Sequence, residues 1–345
     1  MKLPIAPPIA PMLAKLREEM PTGEGWLYEP KWDGFRAIVW RDGSEVSIQS
    51  RDTRPIDRYF PELVEPLCAA LPDRCVVDGE IVVAGPEGLE FDALLLRIHP
   101  AQSRVKMLAQ QTPASFVAFD LLAEGADSLM ETPFSERRTR LEGGLPDPDP
   151  EGRALESASG RSIVFLTPQT ADPVTARNWF DQFENVGLDG IIAKEESIHY
   201  LPGERAMVKI KHRRTADCVV GGFRMNKTND GIGSLLLGLF DGAGVLHYVG
   251  HTSSFKAPER RRLLGELREL EGEGGFGSGR TPGGPSRWTG GRDTTWVALR
   301  PELVCEVSYD HMQGDRFRHA ATFVRWRPEK PARECGFEQL GTRTQ

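Results

Sequence analysis

Apolar positions along this chain fall into short runs instead of long stripes, and most runs have the length and β-branched content of strands. Residues 26–29 and 35–40 read as strands, and Asp42-Gly43 is a hairpin turn feeding a third at 45–49. Residues 75–83, 116–122, 190–194 and 207–211 are further β-rich runs. Helices interleave with them. The clearest spans 172–186, with Asp172 as N-cap, Pro173 at the first helical position and Gly187 as the stop. Val174, Phe180 and Phe183 are expected on one face of it.

Beyond residue 215 the pattern is mostly strand: 218–223, 234–240, 246–250, 303–309 and 322–326. One amphipathic helix, 258–270, interrupts it, with Leu263, Leu264, Leu267 and Leu270 on the buried stripe. Five strands and one helix make the inventory of a small Greek-key barrel of the OB type. Residues 142–161 and 271–293, rich in Gly, Pro, Asp and Ser, read as loops. A change of domain is placed near the basic run 212–215, which separates two apolar strands.

Composition narrows the class. With 345 residues, 39% hydrophobic and 27% charged, the chain can bury two cores and is not disordered. No apolar run is long enough to span a bilayer, and prolines break the N-terminal apolar stretch that a signal peptide would need. Five scattered cysteines without a C-x-x-C pair suit reduced thiols and a cytoplasmic protein, and argue against structural zinc. The net charge of −7 speaks against a nucleic-acid partner. Its distribution does not: the acidic excess sits before residue 212, and the remainder is mildly basic.

The sharpest chemistry lies in Glu29-Pro30-Lys31-Trp32-Asp33-Gly34-Phe35-Arg36, a lysine at a strand end before a glycine turn and further charges. Asp78-Gly79-Glu80 lies between two β-branched runs, and Asp189-Gly190 opens another strand. Lys209 and Lys211 share one face of theirs, because side chains alternate with period 2. Hard oxygen ligands such as Glu80 and Asp189 suit Mg²⁺, and lysines suit phosphate oxygens. The set can hold a triphosphate and its metal. The seven histidines form no cluster.

In this order and spacing the motifs resemble the covalent nucleotidyltransferase superfamily of ATP-dependent DNA ligases and mRNA capping enzymes. K-x-D-G-x-R reads as Lys31 to Arg36, followed by Ser50-Arg51, Asp78-Gly79-Glu80, Phe119-Asp120-Leu121-Leu122 and Lys209-Ile210-Lys211. Arg325-Trp326-Arg327-Pro328-Glu329-Lys330 closes the series. The Pro-Met-Leu-Ala-Lys start at 11–15 and the ending look most like the short bacterial DNA ligase C group, close to the ligase module of bacterial ligase D. Three positions depart from the common pattern: Asp189 stands where Glu is frequent, Met207 where Trp is common, and Glu329 where Asp is often found.

The resemblance implies an α+β chain: an antiparallel-sheet nucleotidyltransferase (adenylation) domain at 1–211, then a C-terminal OB-fold barrel at 216–345. It makes Lys31 the nucleophile on the α-phosphate of ATP, forming lysyl-AMP and releasing pyrophosphate. AMP then passes to the 5′-phosphate of a nick, and the 3′-hydroxyl displaces it. Arg36 and Arg51 would grip ribose or phosphates, and Glu80 and Asp189 serve ribose and metal, Mg²⁺ with Mn²⁺ as a substitute. Phe119 would stack on adenine, Glu29 would lie near the purine edge, and Lys209 and Lys211 would contact the α-phosphate. Arg325, Arg327 and Lys330 would orient pyrophosphate. Taken alone, Phe119 is more often a strand core residue, Arg51 is equally a surface ion-pair residue, and the C-terminal cations are an ordinary solvated face or a DNA-backbone contact.

A free lysine with a pKa of about 10.4 is mostly protonated at neutral pH. Lys209, Lys211 and the bound metal are expected to depress it. The expected enzyme is a monomeric, cytoplasmic, nucleoid-associated ligase of nicked double-stranded DNA, with no membrane partner, working beside DNA-repair proteins. A GTP-using capping-type guanylyltransferase and an inactive nucleic-acid-binding relative are the competing readings. An NAD⁺-dependent ligase is disfavoured, since its zinc-binding cysteines are missing.

Overall fold

The computed structural model describes residues 1–85, 88–145, 163–182, 188–212, 214–272, 274–277, 282 and 295–340. The chain divides into two compact units, Met1–His212 and Arg213–Gln345.

Two sheets build the first unit. One runs in the order Leu13–Arg17, Arg205–Ile210, Ile191–Glu195, Trp26–Pro30. The other runs Val164–Leu166, Ser115–Glu124, Arg74–Val82, Phe35–Asp42, Glu45–Ser50. Pairing is antiparallel except at one edge of each sheet. Leu13–Arg17 lies parallel to Arg205–Ile210, and Val164–Leu166 parallel to Ser115–Glu124. The sheets are therefore mixed, not purely antiparallel as expected.

Strand Phe35–Asp42 shows why its apolar run does not alternate. Ala37 and Val39 enter a core shared with Leu67 of helix Val64–Ala70 and Leu94 of helix Phe91–Arg97. Ile38 and Trp40 enter a second core with Met12, Tyr200 and Met207. A strand covered on both faces needs apolar residues at every position.

Helix Pro173–Gln182 is capped as its sequence dictates: the Asp172 carboxylate accepts from the Val174 and Thr175 amides, both at 3.0 Å. Its buried face includes Phe180 as expected but not Val174. Val174 is exposed, while Ala176 is buried and Trp179 and Phe180 pack beside it. An early residue on the cap side of a surface helix turns outward. Phe183 and Gly187 lie outside the described residues. The loop expected from residue 142 starts later, since helix Phe134–Gly144 runs through that point; most of the two expected loops lies outside the described residues.

In the second unit five antiparallel strands follow the order Leu246–Thr252, Ile232–Phe240, Arg214–Met225, Val304–Tyr309, Thr322–Trp326. Helix Ala257–Arg268 comes between the third and fourth of them in sequence and buries Leu263, Leu264 and Leu267; Leu270 is partly buried beyond its end. Register shifts at Val220/Gly222 and Leu237/Gly238 coil the sheet. A single parallel bridge, Thr252–Ala321, joins its two ends. The expected OB-type barrel is not closed among the described residues, because one bridge is not a ladder. All five cysteines are free thiols. Among the described residues, no helix is long and apolar enough to cross a membrane.

Candidate active site

The predicted lysine sits where three strands of one sheet end. Lys31 follows strand Trp26–Pro30, and its backbone is clasped by the neighbouring turn. The Lys31 amide donates to the Gly190 carbonyl at 2.8 Å, and the Asp189 amide donates to the Lys31 carbonyl at 2.9 Å. Gly190 has φ +133°, and a Cβ there would lie 2.0 Å from the Ile210 carbonyl oxygen. Only glycine fits.

That clasp delivers Asp189 to the amine. Lys31 Nζ is 2.7 Å from Asp189 Oδ2, and Lys211 Nζ is 2.5 Å from the same oxygen. Burial works against the Lys31 charge, but Asp189, then Glu80 and Asp33, outweigh it and raise its pKa above that of an ordinary lysine. The depression expected from Lys209, Lys211 and a bound metal acting together is not what Asp189 imposes. Lys209 is lowered instead: burial, then Lys211, Lys31, Arg51 and Arg205, lower its pKa.

A cleft opens beside Lys31. Glu29, Arg36, Arg51, Glu80, Phe119 and Lys209 line it with Lys31. Arg36 grips Asp78 with two bonds of 2.7 Å, and its guanidinium lies 4.3 Å from the Phe119 ring centroid. Burial pushes the Glu80 carboxyl up to about 7, against the opposing pull of Arg36 and Lys31. Asp189 and Lys211 join the cleft through Lys31.

Sequence reasoning missed the deepest part. Glu29 is buried and receives Lys194 Nζ at 2.8 Å and Gln169 Nε2 at 2.9 Å, with Arg138 Nη1 at 3.7 Å. Burial lowers the Lys194 pKa, partly countered by Glu29 and Asp120. Lys194 carried a signal, since a lysine ending the apolar Ile191-Ile192-Ala193 run has to find an anion. Arg138 and Gln169 come from a helix and a loop with no motif around them. Arg205, exposed at the cleft lining, was missed too.

Arg325, Arg327 and Lys330 belong to the second unit, where carboxylates of that unit hold them. Arg325 Nε is 2.6 Å from Glu306, Arg327 Nη1 is 2.9 Å from Asp217, and Lys330 Nζ is 3.7 Å from Glu334.

The donor set fits a nucleotide with a divalent cation. Glu80 and Asp189 offer hard carboxylate oxygens beside cations suited to phosphate. No cluster of three or more His, Cys, Asp or Glu occurs among the described residues, so most ligands of a bound cation would come from phosphate and water.

Comparisons with known proteins agree with this chemistry. Residues 7–211 match the family model described as ATP dependent DNA ligase domain, and residues 228–330 match that of the ATP dependent DNA ligase C terminal region. The chain is 50% identical over 354 residues to DNA ligase C2 of Mycolicibacterium smegmatis, covering 99% of this chain and 96% of that protein. It is likewise 50% identical over 352 residues to DNA ligase C of Mycobacterium tuberculosis, again covering 99% and 96%. Among solved structures, a Lig E DNA ligase studied as a minimal DNA-binding scaffold shares the fold. Its TM-score is 0.57 at 18% identity, covering 92% of this chain and 99% of that one.

Proposed function

We propose the following division of labour from one premise: this chain belongs to the ATP-dependent DNA ligase family. It is an enzyme that joins DNA strands using ATP. Lys31 is the amine that takes the adenylate, in a nucleotidyltransferase unit at 1–211. The observation that carries the assignment is the Lys31–Asp189 contact of 2.7 Å at the edge of a cleft lined by Arg36, Glu80, Phe119 and Lys209.

Lys31 must lose a proton before it reacts, so ATP binding has to loosen the hold of Asp189 on it. The Nζ lone pair then forms a bond to the α-phosphorus as the bond to pyrophosphate breaks. Lys209 and Lys211 neutralise charge building on the α-phosphoryl oxygens. Phe119 presents an aromatic face to adenine, and Glu29 accepts from the purine edge. Arg36 and Arg51 hold ribose and phosphate. Glu80 and Asp189 are the carboxylates that would hold Mg²⁺, or Mn²⁺ in its place, and the cation would supply charge neutralisation at the phosphates. The adenylate next moves to the 5′-phosphate of a nick in duplex DNA, and the 3′-hydroxyl closes the strand.

The second unit, 216–345, acts as an OB-type module. Its strand order and its helix between the third and fourth strands support that reading. Its Arg325, Arg327 and Lys330 orient the departing pyrophosphate. The chain works as a cytoplasmic monomer at the nucleoid, beside DNA-repair proteins.

The test is covalent labelling. Incubated with Mg²⁺ and α-labelled ATP, GTP or NAD⁺, the protein should take label from ATP alone, and Lys31→Ala should take none. Label from GTP alone, or labelling that survives Lys31→Ala, would overturn the assignment. Given pre-adenylylated nicked DNA, Lys31→Ala should retain some sealing.

A further inference from the structure

The Asp78 carboxylate is completely buried, yet the reaction outlined above gives it no part. Its two oxygens take Nε and Nη2 of Arg36, each at 2.7 Å. Oδ2 also takes the hydroxyl of Tyr200 at 2.6 Å. That hydroxyl in turn accepts the Met12 amide at 3.1 Å, and Met12 returns its carbonyl to Arg36 Nη2 at 3.4 Å. Four residues from four separate stretches of chain close a ring around one guanidinium.

Each corner is itself fixed. The Tyr200 amide donates to the Met130 carbonyl at 2.8 Å, and the Leu201 amide reaches Met12 Sδ at 3.4 Å. Met12 ends an N-terminal segment pinned along its length. Trp40 Nε1 donates to the Ile5 carbonyl at 3.0 Å, and the Gln49 side chain exchanges hydrogen bonds with Ile9 in both directions. Of the three nitrogens of the Arg36 guanidinium, Nε and Nη2 make these hydrogen bonds and Nη1 makes none to the described residues. Arg36 lines the cleft, so this nitrogen keeps its two donors for a ligand.

We infer that Tyr200 is a positioning residue of the nucleotide site, setting with Met12 and Asp78 the one orientation in which Arg36 meets the ribose or phosphate oxygens of ATP. The inference rests on the reading of Arg36 as a nucleotide ligand. Without the hydroxyl, Asp78 keeps its charge but loses a hydrogen bond that fixes its plane, and the Met12 amide loses its acceptor. Arg36 can then pivot about Asp78. Affinity for ATP should fall while the fold persists.

The test measures equilibrium ATP binding by calorimetry in a Lys31→Ala background, where no covalent step contributes. Tyr200→Phe should weaken binding about tenfold, as expected for a lost hydrogen bond to a charged group. Arg36→Ala should weaken it at least as much. The double variant should bind no worse than Arg36→Ala alone, since Tyr200 acts only through Arg36. Tyr28→Phe is the structural control: this buried tyrosine donates to the Pro21 carbonyl at 2.7 Å away from the cleft. It should lower Tm and leave ATP affinity alone. Should Tyr200→Phe fail to fold, Asp78→Asn breaks the same ring from the other side and should be equally non-additive with Arg36→Ala. Additive losses, or a Tyr200→Phe affinity equal to the parent's, would overturn the inference. If Arg36→Ala alone binds ATP normally, the reading of Arg36 fails and takes the inference with it, whereas labelling through Lys31 would stand.

Discussion

Two carboxylates of the first unit each gather a pair of cations, and depth separates what they do. Glu29 holds Lys194 and Arg138 where all three side chains are at most 4% exposed. Asp189 holds Lys31 and Lys211, which are 19% and 22% exposed. Deep in the protein neither cation can rehydrate, so the Glu29 carboxylate has to stay in place. Its group forms a fixed floor. Near the opening, each lysine can exchange the carboxylate for water or phosphate at modest cost. Identical chemistry thus makes a scaffold at one depth and a releasable clamp at the other.

The largest effect that divides the two is on stability. Glu29→Ala strands two buried cations and should cost about 3–5 kcal/mol. Asp189 is itself buried, but Asp189→Ala leaves partly exposed lysines and should cost less. Urea unfolding midpoints of the two variants check this. Equal losses would erase the distinction between floor and clamp.

The second effect is on proton release. Asp189 raises the Lys31 pKa, so Asp189→Asn should move the pH profile of self-adenylylation to lower pH even if its maximum falls. The sign for stability follows. A lysine whose folded pKa exceeds its unfolded one stabilises fully below the unfolded value of 10.5, and the contribution disappears as pH rises through the folded value. The stability advantage of the parent over Asp189→Asn should therefore shrink as pH rises above about 10.5. An unmoved rate profile would mean that Asp189 does not govern the nucleophile.

How much of this was written in the sequence depends on the range of the contacts. Lys31 stands at a strand end before a glycine turn, and Glu80 and Lys209 stand within strands, so turn chemistry and period 2 make them legible. The direction of the Lys31 pKa was not. Residues 209 and 211 advertise cations, but only the pairing of Ile191 with both Pro30 and Ile210 brings Asp189 between Lys31 and Lys211. The floor was hidden for a similar reason: Arg138 and Gln169 approach Glu29 from more than a hundred residues away with no pattern of their own. Met12 and Tyr200 are 188 positions apart. Parallel edge strands left no local turn signal either. In the second unit, strand positions could be read from alternation, but closure is a property of the end strands, and their side chains do not encode it.

A smaller effect tests the floor from its neighbour. Glu80 lines the same cleft, and burial raises its folded pKa to about 7 from 4.5. A carboxyl raised in this way binds its proton more tightly when folded, so stability falls as pH climbs from about 4.5 to 7 and levels off above. Glu80→Gln should flatten that decline in Tm. A Glu80→Gln profile parallel to the parent's would place the proton elsewhere.

The smallest effect comes from a carboxylate at the opposite extreme of depth. Asp172 is exposed, and its pKa is lowered by hydrogen bonds from the Thr175 hydroxyl and the Val174 and Thr175 amides. It holds no cation among these contacts, so it does neither of the jobs compared above. Asp172→Ala should lower Tm slightly and leave ATP affinity and the labelling rate unchanged. Its sign is that of an acid with a depressed pKa: the stabilisation is present above the ordinary value of 3.8 and is lost as pH falls below it. The parent and the variant should therefore converge in Tm in strong acid. A loss of ATP affinity in Asp172→Ala would show that helix Pro173–Gln182 is coupled to the cleft through strand Trp26–Pro30, and that depth alone does not sort these carboxylates.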